Sequence, residues 1–351
     1  MKINEKPLIS FCLFAYNQAK YIEEAVEGAL NQTYKPLEII LSDDCSTDNT
    51  FDLIKEIVKS YKGPHKVIIN RNKMNLGLAE HINQVVTIAT GDWLVFAAGD
   101  DISLPERTSV LSKLTYDKED VYFAGSGTIV INERGKPISN GVLEFNREIV
   151  LSGCAAAYHK KCFEIFEKLH PGVLVEDLVL PYRALLLGNI ALINSPLVKY
   201  RILTKDYFES YKKYTHFTKS LENVFLQRNL DLKNISDRYP DNIIKTIKKI
   251  NDRYIQIANK DYKNQKMIVD IYDATILSKI KTLINNRYFS KSQKIKMFLL
   301  SSKIIRIIYG HFLRYIIKTV YKSFTDEKIT INLNDVLSKN LIIHVYNDIE
   351  I

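Results

Sequence analysis

The chain of 351 residues is long enough for two or three structural units, and its 46% hydrophobic content is that of a folded globular protein. Four cysteines (Cys12, Cys45, Cys154 and Cys162) show no CxxC and no metal-ligand spacing, which disfavours a disulfide framework or a zinc site. The net charge of +9 is concentrated: residues 241–330 hold 19 Lys and Arg against 7 Asp and Glu, with no acid between Asp273 and Asp326. Neither a signal-peptide core at the start nor an uninterrupted bilayer-length apolar span is found, so a cytoplasmic location is expected.

Pro7 to Ala15 is a nearly continuous apolar run, as in a parallel strand buried on both faces, and Tyr16-Asn17-Gln18 breaks it. Ile22, Ala25, Val26, Ala29 and Leu30 then recur at helical spacing. Leu37–Leu41 reads as a second strand. It ends in Ser42-Asp43-Asp44-Cys45-Ser46-Thr47-Asp48, a loop leading to a helix marked by Leu53, Ile54, Ile57 and Val58. Lys66–Asn70 is a third strand and Leu78–Ala89 a helix. The Trp93 strand follows, ending in Gly99-Asp100-Asp101 with Pro105 suited to a first helical turn. Strands alternating with helices predict an α/β fold whose mostly parallel sheet carries helices on both faces.

Tyr16-Asn17, Asp43-Asp44 and Asp100-Asp101 each follow a strand, so they are expected at one edge of the sheet, where α/β folds bind ligands. Adjacent carboxylates repel by about 4 kcal/mol at ~4 Å and an effective dielectric near 20, so a cation is expected beside Asp100 and Asp101. A hard divalent ion shared with substrate phosphates is the natural one. An aromatic ring, a hydrogen-bonding Asp and a metal-binding pair together suit a nucleoside diphosphate. Neither GxGxxG nor GxxxxGK[ST] is present, which disfavours a dinucleotide fold or a P-loop.

In their order and spacing, these motifs resemble those of family 2 glycosyltransferases of GT-A fold over residues 7 to about 203. The resemblance rests on Leu8-Ile9-Ser10 with Ala15-Tyr16-Asn17, Asn31-Gln32-Thr33, Ser42 through Thr50, Asn75-Leu76-Gly77 and Gly91-Asp92-Trp93. Cys45 stands where the family usually has Gly, His81 where it has Arg, and Ala98 where a further Asp is common. The resemblance implies that Tyr16 and Asp44 contact the base, with Ala15, Asn17, Asp43, Asn75 and Arg201 also in the nucleotide-sugar site. It implies Asp101 as the direct ligand of Mn²⁺ or Mg²⁺, and Asp100 on ribose or metal.

Further along, Val121–Ile131 reads as a strand, Gly153–Tyr158 as a small-residue stretch fit to pass close to a sugar, and Glu176-Asp177 as an acidic pair ahead of a helix over Tyr182–Leu187. By the same resemblance Asp177 is the general base of an inverting transfer and Glu176 supports it. Leu203 stands where many members carry His, two residues beyond Arg201.

The domain reading is a catalytic domain over 1–205, with the nucleotide-sugar half at about 1–104 and the acceptor half at about 105–205. A basic, mainly helical region over 206–326 and a tail over 327–351 follow. Residues 294–322 place Phe298, Ile305, Ile308, Tyr309, Phe312, Ile316 and Val320 on one helical face and lysines and arginines on the other, as in an interfacial helix on an anionic membrane. A helix packed on the catalytic domain reads nearly as well. The leading reading is therefore a metal-dependent inverting glycosyltransferase using a nucleotide-sugar, UDP-linked by expectation. The resemblance implies a saccharide or lipid-linked acceptor in bacterial surface-polysaccharide synthesis. The basic amphipathic stretch would suit a place at the inner face of the membrane, and nucleic acid, for which a basic face is the only support, is not expected as a partner. A nucleotidyltransferase and an inactive membrane-surface binding protein stay open as alternatives.

Overall fold

The apolar run at the start forms β1 (Ile9–Ala15), buried almost throughout because neighbours flank it on both sides and helices cover both faces. It pairs in parallel with β2 (Leu37–Asp43) and with β4 (Trp93–Ala98), while β3 (Lys66–Arg71) extends the sheet beyond β2. The linking helices are α1 (Ile22–Leu30), α2 (Thr50–Ser60) and α3 (Leu78–Ile88). The chain thus moves outward from β1 to β3 and returns to place β4 on the other side of β1. That reversal opens a crevice at the carboxyl ends of β1 and β4.

The remaining elements are β5 (Ile102–Ser103), α4 (Arg107–Thr115), β6 (Val121–Ile131), β7 (Pro137–Leu143), β8 (Ala156–His159), α5 (Lys161–Glu164), α6 (Leu180–Leu187), β9 (Asn189–Arg201), α7 (Tyr207–Asn234) and β10 (Ile343–Tyr346). The sheet order is β10-β9-β6-β8-β4-β1-β2-β3, with β5 added to β9 and β7 to β6. β8 runs antiparallel between β4 and β6, so the sheet is mixed, while β6, β9 and β10 are mutually parallel neighbours. This is the expected mixed, mostly parallel α/β architecture, and its boundaries fall within a few residues of those read from the sequence. α6 starts two residues early because Pro181 fits its first turn.

The computed structural model describes residues 6–143 apart from 117 and 119, then 153–203, 207–239, isolated positions between 241 and 259, and 343–346. The amphipathic stretch 294–322 lies outside the described residues. Among those described, no helix is long and apolar enough to cross a membrane. Two compact units divide the chain. One comprises Met1–Thr204, Asn223–Asn251 and Asn334–Ile351, the other Lys205–Glu222 and Asp252–Leu333.

Alternate residues of the central strands feed two cores, as the two-residue strand period requires. Phe11, Leu13, Ile39, Leu41 and Val95 join Ile22, Val26, Ile54, Val110 and Leu114 on one face. Cys12, Ile40, Leu94 and Phe96 join Ala79, Ile82, Val85, Leu180, Ala184 and Val224 on the other. At the amino ends of the strands, buried Glu38 accepts from Ser10 Oγ at 2.6 Å, Thr90 N–H at 2.6 Å and Thr90 Oγ1 at 2.8 Å, tying β1 and β2 to the loop before β4. The carboxyl ends are left for the site.

Candidate active site

Three loops meet at the carboxyl ends of β1, β2 and β4. Asp44 N–H donates to the Ala15 carbonyl at 2.9 Å, and Gly99 N–H to the Phe14 carbonyl at 2.9 Å, so the tips are stitched to one another by backbone. Asn17 adopts the left-handed conformation (φ 52°), which Asn tolerates better than most residues. Its Oδ1 accepts from Thr47 N–H at 2.8 Å, and its own N–H donates to Ser46 Oγ at 2.9 Å. Tyr16 stands beside it, 43% exposed, presenting a ring at the rim.

Both carboxylates after β2 are buried and engaged within the protein. Asp43 accepts from the Ser46 hydroxyl and, at 2.9 Å, from Ser46 N–H, with Arg71 Nε at 3.5 Å. Asp44 Oδ1 accepts from Asn72 Nδ2 at 2.8 Å and Leu76 N–H at 2.9 Å, and its Oδ2 from Gly77 N–H at 2.9 Å. Asn75 Oδ1 shares that Gly77 donor. Asp44 is therefore the hub on which the 72–77 loop is folded. His81, where the resemblance expected Arg, bonds Ser42 Oγ at 2.6 Å; burial holds its pKa down despite Asp44 and Asp43 nearby.

At the end of β4, Asp101 is 5% exposed and its Oδ1 accepts from the Arg201 backbone N–H at 2.8 Å. Burial, then the neighbouring Asp100 charge, pushes Asp101 up to about 7, against smaller lowering by the Arg201 amide, the Cys154 thiol and Arg107. The Arg201 guanidinium is occupied by the protein: Nε bonds the Asp100 carbonyl at 2.8 Å, Nη1 the Asn132 and Glu133 carbonyls, and Nη2 the Glu24 carboxylate. It lies over the Tyr21 ring at 4.6 Å, so what the geometry gives Arg201 is a strap under the Asp100-Asp101 turn.

Glu176 and Asp177 sit on a short 3-10 turn, Glu176–Leu178, directly before α6. Each residue keeps some accessible surface, while Asp177 Oδ1 itself is buried and has no hydrogen-bond partner. Both carboxyl groups are pushed above the usual carboxylate range, by burial first and for Glu176 also by the Asp177 charge, so the pair holds a proton more readily than free carboxylates do. Gly153 makes room for them, since a Cβ there would lie 2.1 Å from Glu176 Oε1. The small-residue stretch beginning at Gly153 thus packs against the acidic turn and brings Cys154 to Asp101.

Tyr200 links the two acidic pairs. Its phenol is pushed up to about 12 by burial first and then by Cys154, Asp101, Asp100 and Asp177. The Gly153–Ala155 turn, which contacts β4 and β9 and meets Glu176 at Gly153, brings both pairs into one neighbourhood. Tyr200 and Cys154 were not among the expected site residues; adjacency to Arg201 and to Gly153 in the sequence was the signal for each. Arg107, wholly buried behind Asp101, was also missed. It bonds the Phe96 carbonyl at 2.6 Å and Ser103 Oγ at 2.9 Å, bracing the strand on either side of the Asp pair.

Among the described residues no three His, Cys, Asp or Glu side chains surround one point. Asp100 and Asp101 nonetheless form a mutually repelling, partly buried pair of hard oxygen donors, a donor set that fits a divalent cation sharing its coordination with substrate phosphates and water.

Residues 10–164 match the family model described as glycosyl transferase family 2. This part of the chain is a family 2 glycosyltransferase domain. It is 34% identical over 133 residues to EpsE of Bacillus subtilis, covering 38% of this chain and 47% of that protein. To WfaP of Escherichia coli, named UDP-Glc:alpha-D-GlcNAc-diphosphoundecaprenol beta-1,3-glucosyltransferase, it is 36% identical over 120 residues, covering 34% of this chain and 45% of WfaP. The chain thus spans about half the length of these relatives. The mannosyltransferase PcManGT from Pyrobaculum calidifontis, solved with GDP-Man and Mn²⁺, aligns with a TM-score of 0.53 at 15% identity over 93% of this chain and 89% of that one. That likeness is one of fold, the GT-A architecture.

Proposed function

We propose that the protein is an inverting glycosyltransferase that moves a sugar from a nucleotide-diphosphate donor, UDP-linked in our reading, to a hydroxyl of a saccharide or lipid-linked acceptor in bacterial surface-polysaccharide synthesis. The observation that carries this reading is the buried, unpartnered Asp177 Oδ1, on a turn packed against Gly153 and so beside the end of β4 that carries the Asp100-Asp101 pair. A buried acceptor without a donor is costly and is expected to find one in the working complex.

The donor lies across the strand tips, its base against the Tyr16 ring and beside the loop that Asp44 holds. Asp100 and Asp101 would hold Mn²⁺ or Mg²⁺, which supplies charge neutralisation for the leaving diphosphate. Asp177, as carboxylate, takes the proton of the acceptor hydroxyl while its oxygen attacks the anomeric carbon. The bond from that carbon to the diphosphate oxygen breaks, the electron pair leaves with the nucleotide, and the configuration inverts. Glu176 supports the site or the acceptor beside it. The lipid-linked acceptor named for WfaP and the basic C-terminal region of this chain support an inner-membrane surface as the working place.

The test is Asp177→Asn, which preserves shape and removes the base. Transfer should fall by about 10³-fold, while donor binding with Mn²⁺ by titration calorimetry stays unchanged. Normal turnover in this variant would put the base elsewhere, and a wild-type chain that binds nucleotide-sugar without transferring it would favour the inactive binding protein.

A further inference from the structure

The acidic turn lies beyond the residues that match the family model, and a helix later still holds it. Residues 223–234 of α7 belong to the same compact unit as the sheet. Asn223, Gln227 and Asp231 recur every four residues and so share one face of α7. Asn223 Nδ2 donates to the Gly172 carbonyl at 3.1 Å, and Gln227 Oε1 accepts from His170 N–H at 2.9 Å. Asp231 forms a two-point ion pair with Arg183 of α6, Nε to Oδ2 at 2.7 Å and Nη2 to Oδ1 at 2.9 Å, with side chains 0% and 1% exposed. Gln227 Nε2 adds a bond to Asp231 Oδ1 at 3.0 Å, and Arg183 Nη2 one to the Glu167 carbonyl at 2.7 Å.

Arg228 acts on the turn itself. Pro181 has no N–H to give the carbonyl three residues before it, that of Leu178. Arg228 Nε–H serves that carbonyl at 2.8 Å, with the guanidinium stacked 4.7 Å from the Tyr182 ring. Apolar side chains could hold two helices together without the desolvation that this cluster incurs. The polar cluster instead offers direction, because its partners are backbone groups and one side chain of the segment 167–183 that carries Glu176 and Asp177.

We propose that Arg228 and the Arg183–Asp231 pair are positioning residues that hold the Glu176-Asp177 turn in the orientation needed for proton removal; this rests on the reading of Asp177 as the base. They touch no substrate. Arg228→Met removes the bond to the turn, and the double variant R183M/D231L replaces the buried pair by apolar groups of similar size, a swap that folded proteins commonly accept.

In both variants the donor affinity should stay near wild type while the kcat of the folded enzyme falls about 10- to 100-fold, the size expected from a base displaced by about 1 Å. The thermal midpoint drops modestly in Arg228→Met, whose Leu178 carbonyl loses its donor. A merely structural role would lower the midpoint and leave the kcat of the folded fraction intact. Full kcat in a folded R228M or R183M/D231L overturns the proposal, and so does a loss of the fold in Arg228→Met, because the contact would then serve stability. Transfer surviving in Asp177→Asn overturns the base assignment instead; an inactive Asp177→Asn beside a fully active Arg228→Met overturns the positioning role alone.

Discussion

The donor edge and the acidic turn before α6 treat their carboxylates in opposite ways. Asp43 and Asp44 are buried and given several donors each, Asp43 by Ser46 close by in the chain and Asp44 by the 72–77 loop. Asp177 is buried with one oxygen given none, and both it and Glu176 are pushed above the ordinary carboxylate range. A carboxylate saturated by fixed donors is a construction element; it shapes the loop that a ligand meets. One left short of donors retains affinity for a proton, and its ionised form is the reactive one. The comparison divides the cleft into a rigid cradle and a reactive flank, with Asp100-Asp101 between them.

Variants that move a residue from one class to the other test that division. After Asp177→Asn, the largest effect is expected from Asp101→Ala. Loss of one of two hard donors should weaken Mn²⁺-supported nucleotide-sugar binding at least about 10-fold and turnover by about 10³-fold. Calorimetry in the presence and absence of Mn²⁺ checks it, and unchanged metal-dependent binding would remove Asp101 from the metal site. Next is the pH profile of kcat. The base works ionised and its pKa is raised, so activity is lost as pH falls through the raised value, not through the ordinary carboxylate value near 4. Stability has the opposite sign. Folded Glu176 and Asp177 hold protons that the unfolded chain has released, so their contribution weakens as pH rises from about 4 toward neutrality. Rate and urea stability measured over the same pH series should therefore run in opposite directions; parallel curves would mean that the acidic turn is not what titrates.

Asp44→Ala is expected to act on the cradle. It orphans the buried Asn72 Nδ2 and the part-buried Leu76 amide and leaves Gly77 N–H with Asn75 Oδ1 alone, so about 2 kcal/mol of stability should be lost in denaturant titration. Donor binding should weaken with it, because the 72–77 loop loses its hub. A stable variant with intact donor affinity would return Asp44 to the status of an ordinary loop residue.

How much could be read in advance follows the same line. The cradle was legible in part, where its bonds are short-range: Asp43 to Ser46, Asn75 to Gly77, and a left-handed turn at Asn17 directly after an apolar strand. The bonds of Asp44 to Asn72, Leu76 and Gly77 reach 28 to 33 residues along the chain and carry no local pattern. The strands were legible because their apolar runs and the Trp93 to Asp101 transition carry their own boundaries. Arg201 was found as a residue but its engagement was not, since its five partners come from residues 24, 100, 101, 132 and 133, which no local pattern brings together. The α7 face was missed entirely. Its signal was present as Asn223, Gln227 and Asp231 at four-residue spacing beside buried Val224 and Phe225, but a polar stripe on a Lys-rich helix reads as solvated until the partner is known.

The smallest effect concerns Cys45, where the resemblance expected Gly. Its φ of 60° lies in the left-handed region, which costs a non-glycine residue about 1–2 kcal/mol. Glycine there relieves that strain but restores freedom to the unfolded chain, at a cost of about 0.5–1 kcal/mol. The Cys45 thiol offers only a weak 3.7 Å contact to the Lys73 carbonyl in return. Cys45→Gly should therefore stabilise the protein by about 0.5 kcal/mol in urea titration, with donor binding unchanged. A loss of stability would show that the thiol contact matters more than the strain, and weaker donor binding would show that the side chain at this position, between Asp44 and Ser46, belongs to the cradle's inner surface.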